Sequence, residues 1–322
     1  MIYNWKNRVA IMICAVILSS CDPKAKVNTN TNPNASQHNQ DVSNIKSEND
    51  NVNTDVNNAM TSINGFAKNG AVQQNEALNI CGATIDSSHQ RDPQPYIVIH
   101  FDGSSTCGNP GRVRSGDIKV QLVSGSHWFN AGAVLLLTYT NYKVSFPSQN
   151  NQSLTFNGLK YLTDVSGIDG VSYFFTGALT ASFKERTNNM QVLFDNNSLT
   201  SDWNSARTIT YDIVNYNNIT GTINADTTVN GIRNIDSWGQ TRFGTKFTTQ
   251  MIQPWKSGTA CGWWNPIQGQ YTSTTDSFTV TALLGVNSSG NQVSSGCAYG
   301  FKLNWSFPTH PTYDGTAIIQ YW

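Results

Sequence analysis

The sequence has no basic block and little charge of either sign. Lys and Arg total 20 of the 322 residues, and Asp and Glu another 20, for a formal net charge of zero. That excludes the basic face on which nucleic-acid binding depends. Glutamate is rare: Glu48, Glu76 and Glu185 are the only three. A glycosidase needs two facing carboxylates, so here it would have to draw on aspartates from separate strands. The chain has no Gly-x-Ser-x-Gly elbow and no His-Glu-x-x-His. His38, His89, His100, His127 and His310 stand apart, none at i, i+2 or i, i+4 from another. No metal, no cofactor and no catalytic residue is therefore expected. The stretch from Asp164 to Gly170 is rich in oxygen but lacks the spacing and terminal Glu of an EF-hand. It reads as a turn.

The N-terminal apolar run, Val9 to Leu18, has only ten residues. A membrane-spanning helix needs about 20, whereas a secretory h-region is this short. Lys6 and Arg8 supply the positive flank before it. The run ends in Leu18-Ser19-Ser20-Cys21, which resembles a bacterial lipobox. Residues 1–20 are read as a lipoprotein signal peptide and Cys21 as the lipidated first residue of the exported chain. Removing Lys6 and Arg8 leaves 18 cationic against 20 anionic residues. The expected location is the cell envelope, anchored by lipid, in the outer membrane.

Residues 22–60 contain no Phe, Tyr or Trp, and eleven of the 39 are Asn. So little apolar surface cannot offset the entropy of ordering the segment. Residues 21–75 are expected to be a lipidated, disordered polar linker, with a short helix over 61–79. As a coil it would reach about 35 Å from the membrane.

From residue 76 to 322 the composition turns to Thr, Val, Ile and aromatics between Gly, Asn, Asp and Ser, which is strand punctuated by turns. Ile118, Val120 and Leu122 alternate with Lys119 and Gln121. Ile209, Tyr211 and Ile213 alternate with Thr208, Thr210 and Asp212. Phe278, Val280 and Ala282 alternate with Ser277, Thr279 and Thr281. This is the signature of antiparallel sheet with one wet face. Val134 to Tyr139 is apolar on both faces and reads as a central strand. Asn157-Gly158, Asp169-Gly170, Asn230-Gly231 and Asp314-Gly315 are candidate hairpin turns. The fold class is all-β, with antiparallel sheets in a sandwich-like arrangement or an elongated meander. A subdivision into two β units would fall near residue 195.

Four cysteines remain in the exported body: Cys81, Cys107, Cys261 and Cys297. An even count outside the cytoplasm favours disulfides, and four cysteines allow three connectivities. Local pairing, Cys81–Cys107 and Cys261–Cys297, is expected because each pair flanks hairpin-like sequence. Each bridge would contribute about 3–4 kcal/mol in the chain-entropy account. Cys107 thus reads as a staple rather than a nucleophile. Its glycine-rich neighbourhood is followed by a strand, not by the helix a phosphate cradle requires. Arg112 and Arg114 are expected to pair with carboxylates such as Asp102 or Asp117, or with carbonyls.

The segment "IVIHFDGSSTCGNPGRVRSGDIKV" (97–120) resembles the signature of a family of uncharacterised Bacteroidota lipoproteins. The similarity continues through "TYTNYKV" (138–144), "DWNSARTITYDI" (202–213) and "GTKFTTQMIQPWKSGTACGWWNPIQGQY" (244–271), and returns at Gly296-Cys297-Ala298. The acidic and glycine positions that usually surround the last cysteine are missing here. The resemblance implies an exported all-β lipoprotein and brings no catalytic residues with it.

Tryptophan is abundant: Trp128, Trp203, Trp238, Trp255, Trp263, Trp264, Trp305 and Trp322 lie in the body. Most are expected in the core. Trp263 and Trp264 are adjacent, so in a strand they face opposite sides, and one could serve as a stacking platform for a sugar. The expected function is a structural or interaction role at the envelope without catalysis. The alternative is a glycan- or ligand-binding surface module that uses exposed Trp. Expected partners are the membrane, through the lipid, and an envelope protein or glycan, not nucleic acid.

Overall fold

The computed structural model describes residues 33–63, 66, 80–107, 111–147, 151–167, 179–195, 199–215, 218–261 and 265–321. Among the described residues one α-helix, α1 (Pro33–Ser62), precedes fifteen strands. These are β1 (Ala83–Asp86), β2 (Tyr96–Cys107), β3 (Arg112–Ser124), β4 (Val134–Phe146), β5 (Gln152–Asp164), β6 (Leu179–Phe194), β7 (Leu199–Asn215) and β8 (Asn218–Ala225). There follow β9 (Thr227–Val229), β10 (Ile232–Gln240), β11 (Lys246–Gly258), β12 (Gln268–Thr275), β13 (Thr279–Val286), β14 (Gly300–Ser306) and β15 (Gly315–Gln320).

All fifteen belong to one antiparallel sheet, so the fold is all-β as its alternation implies. β1 to β7 pair in chain order, β10 follows β7, and β11 to β15 continue in order. β8 and β10 share the space between β7 and β11. β10 pairs with Ser205, Asn204 and Trp203 of β7, and β8 pairs with the stretch from Arg207 onward. The arrangement is a meander of hairpins with one interruption. Position 195 lies at the tip of the β6–β7 hairpin, whose strands pair from Leu179↔Ile213 to Phe194↔Leu199. The sheet therefore does not divide there.

The alternating positions face as their pattern demands. Ile118, Val120 and Leu122 are buried, as are Ile209, Ile213, Phe278, Val280 and Ala282. The Val134–Tyr139 segment lies in β4 between β3 and β5, with Leu135 and Leu137 fully buried. Asn230 and Gly231 both have positive φ and join β9 to β10 in a two-residue hairpin. Two other turn signals mark something else. Asn157-Gly158 sits inside β5 at a register shift against β6, so its glycine accommodates a bulge. Asp314 ends a short 3-10 turn and Gly315 begins β15. Asp169-Gly170 lies outside the described residues. Gly116 marks a further irregularity in the β3–β4 pairing: its φ is +88°, and a Cβ there would stand 2.2 Å from the Asn141 carbonyl oxygen.

The main departure from the sequence reading is the linker. Residues 33–62 are not a solvated tether but a 30-residue helix on the inner face of the sheet. Only Asn34 and Ser43 of its described side chains are exposed. Val42, Ile45, Val52, Val56, Ala59 and Met60 join the main core cluster with Ile97, Ile99, Leu135, Leu137, Tyr142, Phe156 and Trp128. Ala35 joins a second cluster formed by Phe278, Val280, Leu303, Phe307 and Ile319. The expected short helix over 61–79 is represented only by the end of α1, and most of that range lies outside the described residues. Asparagine is a mediocre helix former, and a helix of this composition would be marginal alone in water. It is stable here because its polar side chains find partners on the sheet.

Candidate functional site

Those partners form a buried ionic network. Near the start of α1, Asp41 takes two hydrogen bonds from Arg242, at 2.7 Å from Nε and 2.6 Å from Nη2. Arg242 also donates to Asp195. Lys46 Nζ donates to Asp236 of β10 at 2.6 Å. Glu48 accepts the Tyr142 hydroxyl of β4 at 2.5 Å and lies 3.6 Å from Arg112 Nε. Asp50 accepts from Arg207 of β7 at 2.7 Å. Asn53 donates to Glu185 of β6 at 2.8 Å. Asp55 pairs with Arg114 of β3. Every charged residue of the helix is thus matched by a residue of the sheet or its turns.

This resolves the region around Cys107. Cys81 and Cys107 are bonded, and Cys107 is paired with Arg112 across the β2–β3 hairpin. Arg114 Nη2 donates to the Cys81 carbonyl at 3.0 Å while Nη1 reaches Asp55. Asp102 and Asp117 are not the partners of the two arginines. Asp102 accepts from Ser104 and Ser105, and Asp117 meets His100. The arginines point inward to α1 because the strand's alternation puts positions 112 and 114 on the buried face. The second bridge, Cys261–Cys297, ties the 3-10 turn after β11 to the loop between β13 and β14. Both pairings are the local ones.

The centre of the network is the group Lys160, Glu185 and Arg207. The Lys160 and Glu185 side chains are 0% exposed, and Lys160 Nζ lies 3.0 Å from Glu185 Oε2. Arg207 bonds Glu185 Oε1 through Nε at 2.7 Å. Burial alone would raise the Glu185 pKa, but the Arg207 and Lys160 cations outweigh it and hold the carboxyl well below its usual range. Burial lowers the Lys160 pKa, against the pull of Glu185. Burial raises Asp50, Asp55 and Asp41, with their arginines opposing it. The cations and carboxylates neutralise one another. A pocket beside the network, lined by Lys46, Arg207, Asp236, Trp255 and Tyr271 among others, has room for about one water molecule.

His38, in the second turn of α1, packs edge-on to Phe247 and Phe278 and contacts Ser273 Oγ at 2.9 Å. Burial, with Lys46 adding to it, lowers its pKa from 6.5 to about 4. The unfolded chain therefore protonates His38 first as pH falls, and stability is lost between pH 6.5 and 4. The difference is worth about 3 kcal/mol at its limit. The raised Asp41, Asp50 and Asp55 act in the opposite sense, because the folded state takes up their protons first. Comparing wild type with His38→Gln isolates the histidine. Urea midpoints of the two should diverge on going from pH 7 to pH 4.5, the wild type losing more. Parallel curves would mean that His38 is solvated.

The remaining expected residues are placed as follows. Trp128 and Trp203 are buried, and Trp238, Trp255 and Trp305 are partly buried, so no tryptophan among the described residues is an exposed platform. Trp263, Trp264 and Cys21 lie outside the described residues. Asp164 accepts from Ser166 and Gly167 in a local turn. Among the described residues no group of His, Cys, Asp or Glu is placed to hold a metal, and no helix is long and apolar enough to cross a membrane. The helix side of the network was missed from sequence, although a signal existed. Val42, Ile45, Asn49, Val52, Val56 and Ala59 fall at alternating spacings of three and four, a helical stripe within the Asn-rich run. No family model, no curated protein and no solved structure matches the chain, so the functional reading rests on its own geometry.

Proposed function

We propose that this is a lipid-anchored envelope protein with a structural or interaction role, held to the membrane through Cys21. The observation that carries the reading is the mutual neutralisation of the interior charges. Arg112, Arg114, Lys160, Arg207 and Arg242 are committed to helix or sheet carboxylates. Such an interior fastens one element to another, and among the described residues these five cations are spent on that fastening rather than aimed at a ligand. Two disulfides suit an exported chain.

The docked helix also changes how the anchor works. Cys21 precedes Pro33 by twelve residues, a span of at most about 40 Å when fully extended. The helix, not a long coil, would receive any tension applied at the lipid. Its ion pairs would pass that tension to the sheet.

Metabolic labelling with a lipid precursor tests the anchor. Wild type should be labelled and sediment with membranes. Cys21→Ser should be unlabelled and released. Equal labelling and equal sedimentation of the two would remove the lipoprotein reading.

A further inference from the structure

We propose that Lys160 and Asn53 are joined by an intramolecular amide bond that fastens α1 covalently to β5, with Glu185 carrying the proton between them. Amide formation between these side chains needs an amine, an amide carbon and a group that moves a proton from the first nitrogen to the second. The amine and the amide nitrogen meet at one carboxylate oxygen. Glu185 Oε2 lies 3.0 Å from Lys160 Nζ and accepts from Asn53 Nδ2 at 2.8 Å. Arg207 occupies the other oxygen, Oε1, which leaves Oε2 to the two nitrogens. Lys160 is also held from the helix side, donating to the Asn49 carbonyl at 3.2 Å and lying 3.5 Å from Asn49 Oδ1. The Asn53 carbonyl oxygen is buried and has no hydrogen-bond partner.

The environment favours the step. A lysine amine is a nucleophile only when neutral, and burial together with the nearby Arg207 cation pushes Lys160 toward that form. Water, the competing nucleophile at an amide carbon, is kept out, since neither Lys160 nor Glu185 has any exposed surface. Holding the groups in place replaces an encounter between separate reactants.

The step balances without any added reagent. A proton passes from Lys160 Nζ to Glu185 Oε2. The free amine attacks Asn53 Cγ, forming the N–C bond and moving the carbonyl pair onto Oδ1. Oε2 returns its proton to Nδ2, the C–Nδ2 bond breaks as the carbonyl re-forms, and ammonia leaves. The second proton lost by Nζ departs with it as ammonium. Glu185 ends as the carboxylate, and the chain is lighter by one ammonia. The new bond would lie on the path between the anchor and the sheet.

Intact-mass measurement of the full chain, purified from the producing cells and denatured, tests this directly. The expected mass is that of the disulfide-bonded chain less one ammonia, reckoned from Cys21 with its lipid where the signal peptide has been removed. Trypsin should leave Lys160 uncleaved and release a branched peptide whose fragmentation places the link on Asn53. Lys160→Arg, Asn53→Ala and Glu185→Gln should each restore the full mass. Wild type at full mass would overturn the proposal. So would a loss of ammonia accompanied by normal cleavage at Lys160, which is cyclisation of an asparagine elsewhere, or a link placed on another residue. The wild-type peptide decides the matter even if a variant fails to fold.

Discussion

Replacing Arg207 by alanine is expected to cost about 3–5 kcal/mol of unfolding free energy, the usual penalty for removing one partner from a buried ion pair. Arg207 is 2% exposed and sits in the stretch of β7 from Trp203 to Arg207 where every residue is buried. Its guanidinium joins Glu185 of β6 to Asp50 of α1, at 2.7 Å from Nε and 2.7 Å from Nη2 respectively. Without it, the fully buried Glu185 and the mostly buried Asp50 are left with Lys160 as their remaining neighbouring cation. Their pKa values then rise, because burial is no longer offset by Arg207. A carboxyl with a raised folded-state pKa gains stability as pH falls, so the deficit of Arg207→Ala should be smaller at pH 5 than at pH 8. Urea unfolding at both values, with an unchanged m-value, reads this out. A loss below about 1 kcal/mol, the scale of an exposed pair, would mean that the network is open to solvent.

The Val52→Pro variant should fail to fold or lose at least as much. Val52 is 1% exposed near the middle of α1. Proline there removes one helical hydrogen bond and clashes with the carbonyl of Glu48, four residues back, at about 3 kcal/mol or more. The resulting kink moves Asn53 and Asp55 away from Glu185 and Arg114, so buried charges on β6 and β3 lose partners as well. Proline in a solvated tether would be silent. A thermal midpoint equal to that of wild type would place this segment outside the folded body.

The sheet was legible in the sequence for a physical reason. One face of each strand meets the core, so a period of two is written at Ile118, Val120 and Leu122 and again at Phe278, Val280 and Ala282. The cysteine pairing was legible because both bridges close short loops, with separations of 26 and 36 residues. The helix was not, because an argument from apolar surface counts Asn, Asp, Glu and Lys as groups that need water. In α1 they are satisfied by Arg114, Tyr142, Lys160, Glu185, Arg207, Asp236 and Arg242 instead. Those partners lie 59 to 201 residues away in the chain, and no local pattern announces them. The arginines of β3 were expected to pair with carboxylates or carbonyls, and they do. Their partners were sought nearby because sequence shows only what is near.

Hydrogen exchange of the full chain, followed peptide by peptide, tests the central claim that α1 is an interior element fastened to the sheet. Amides of residues 45–60 should be protected to the level of β4 to β7, since the helix can open only by breaking the same core and the same ion pairs. Exchange of those amides at the rate of an unstructured peptide, with the strands still protected, would contradict it and return the segment to a solvated tether.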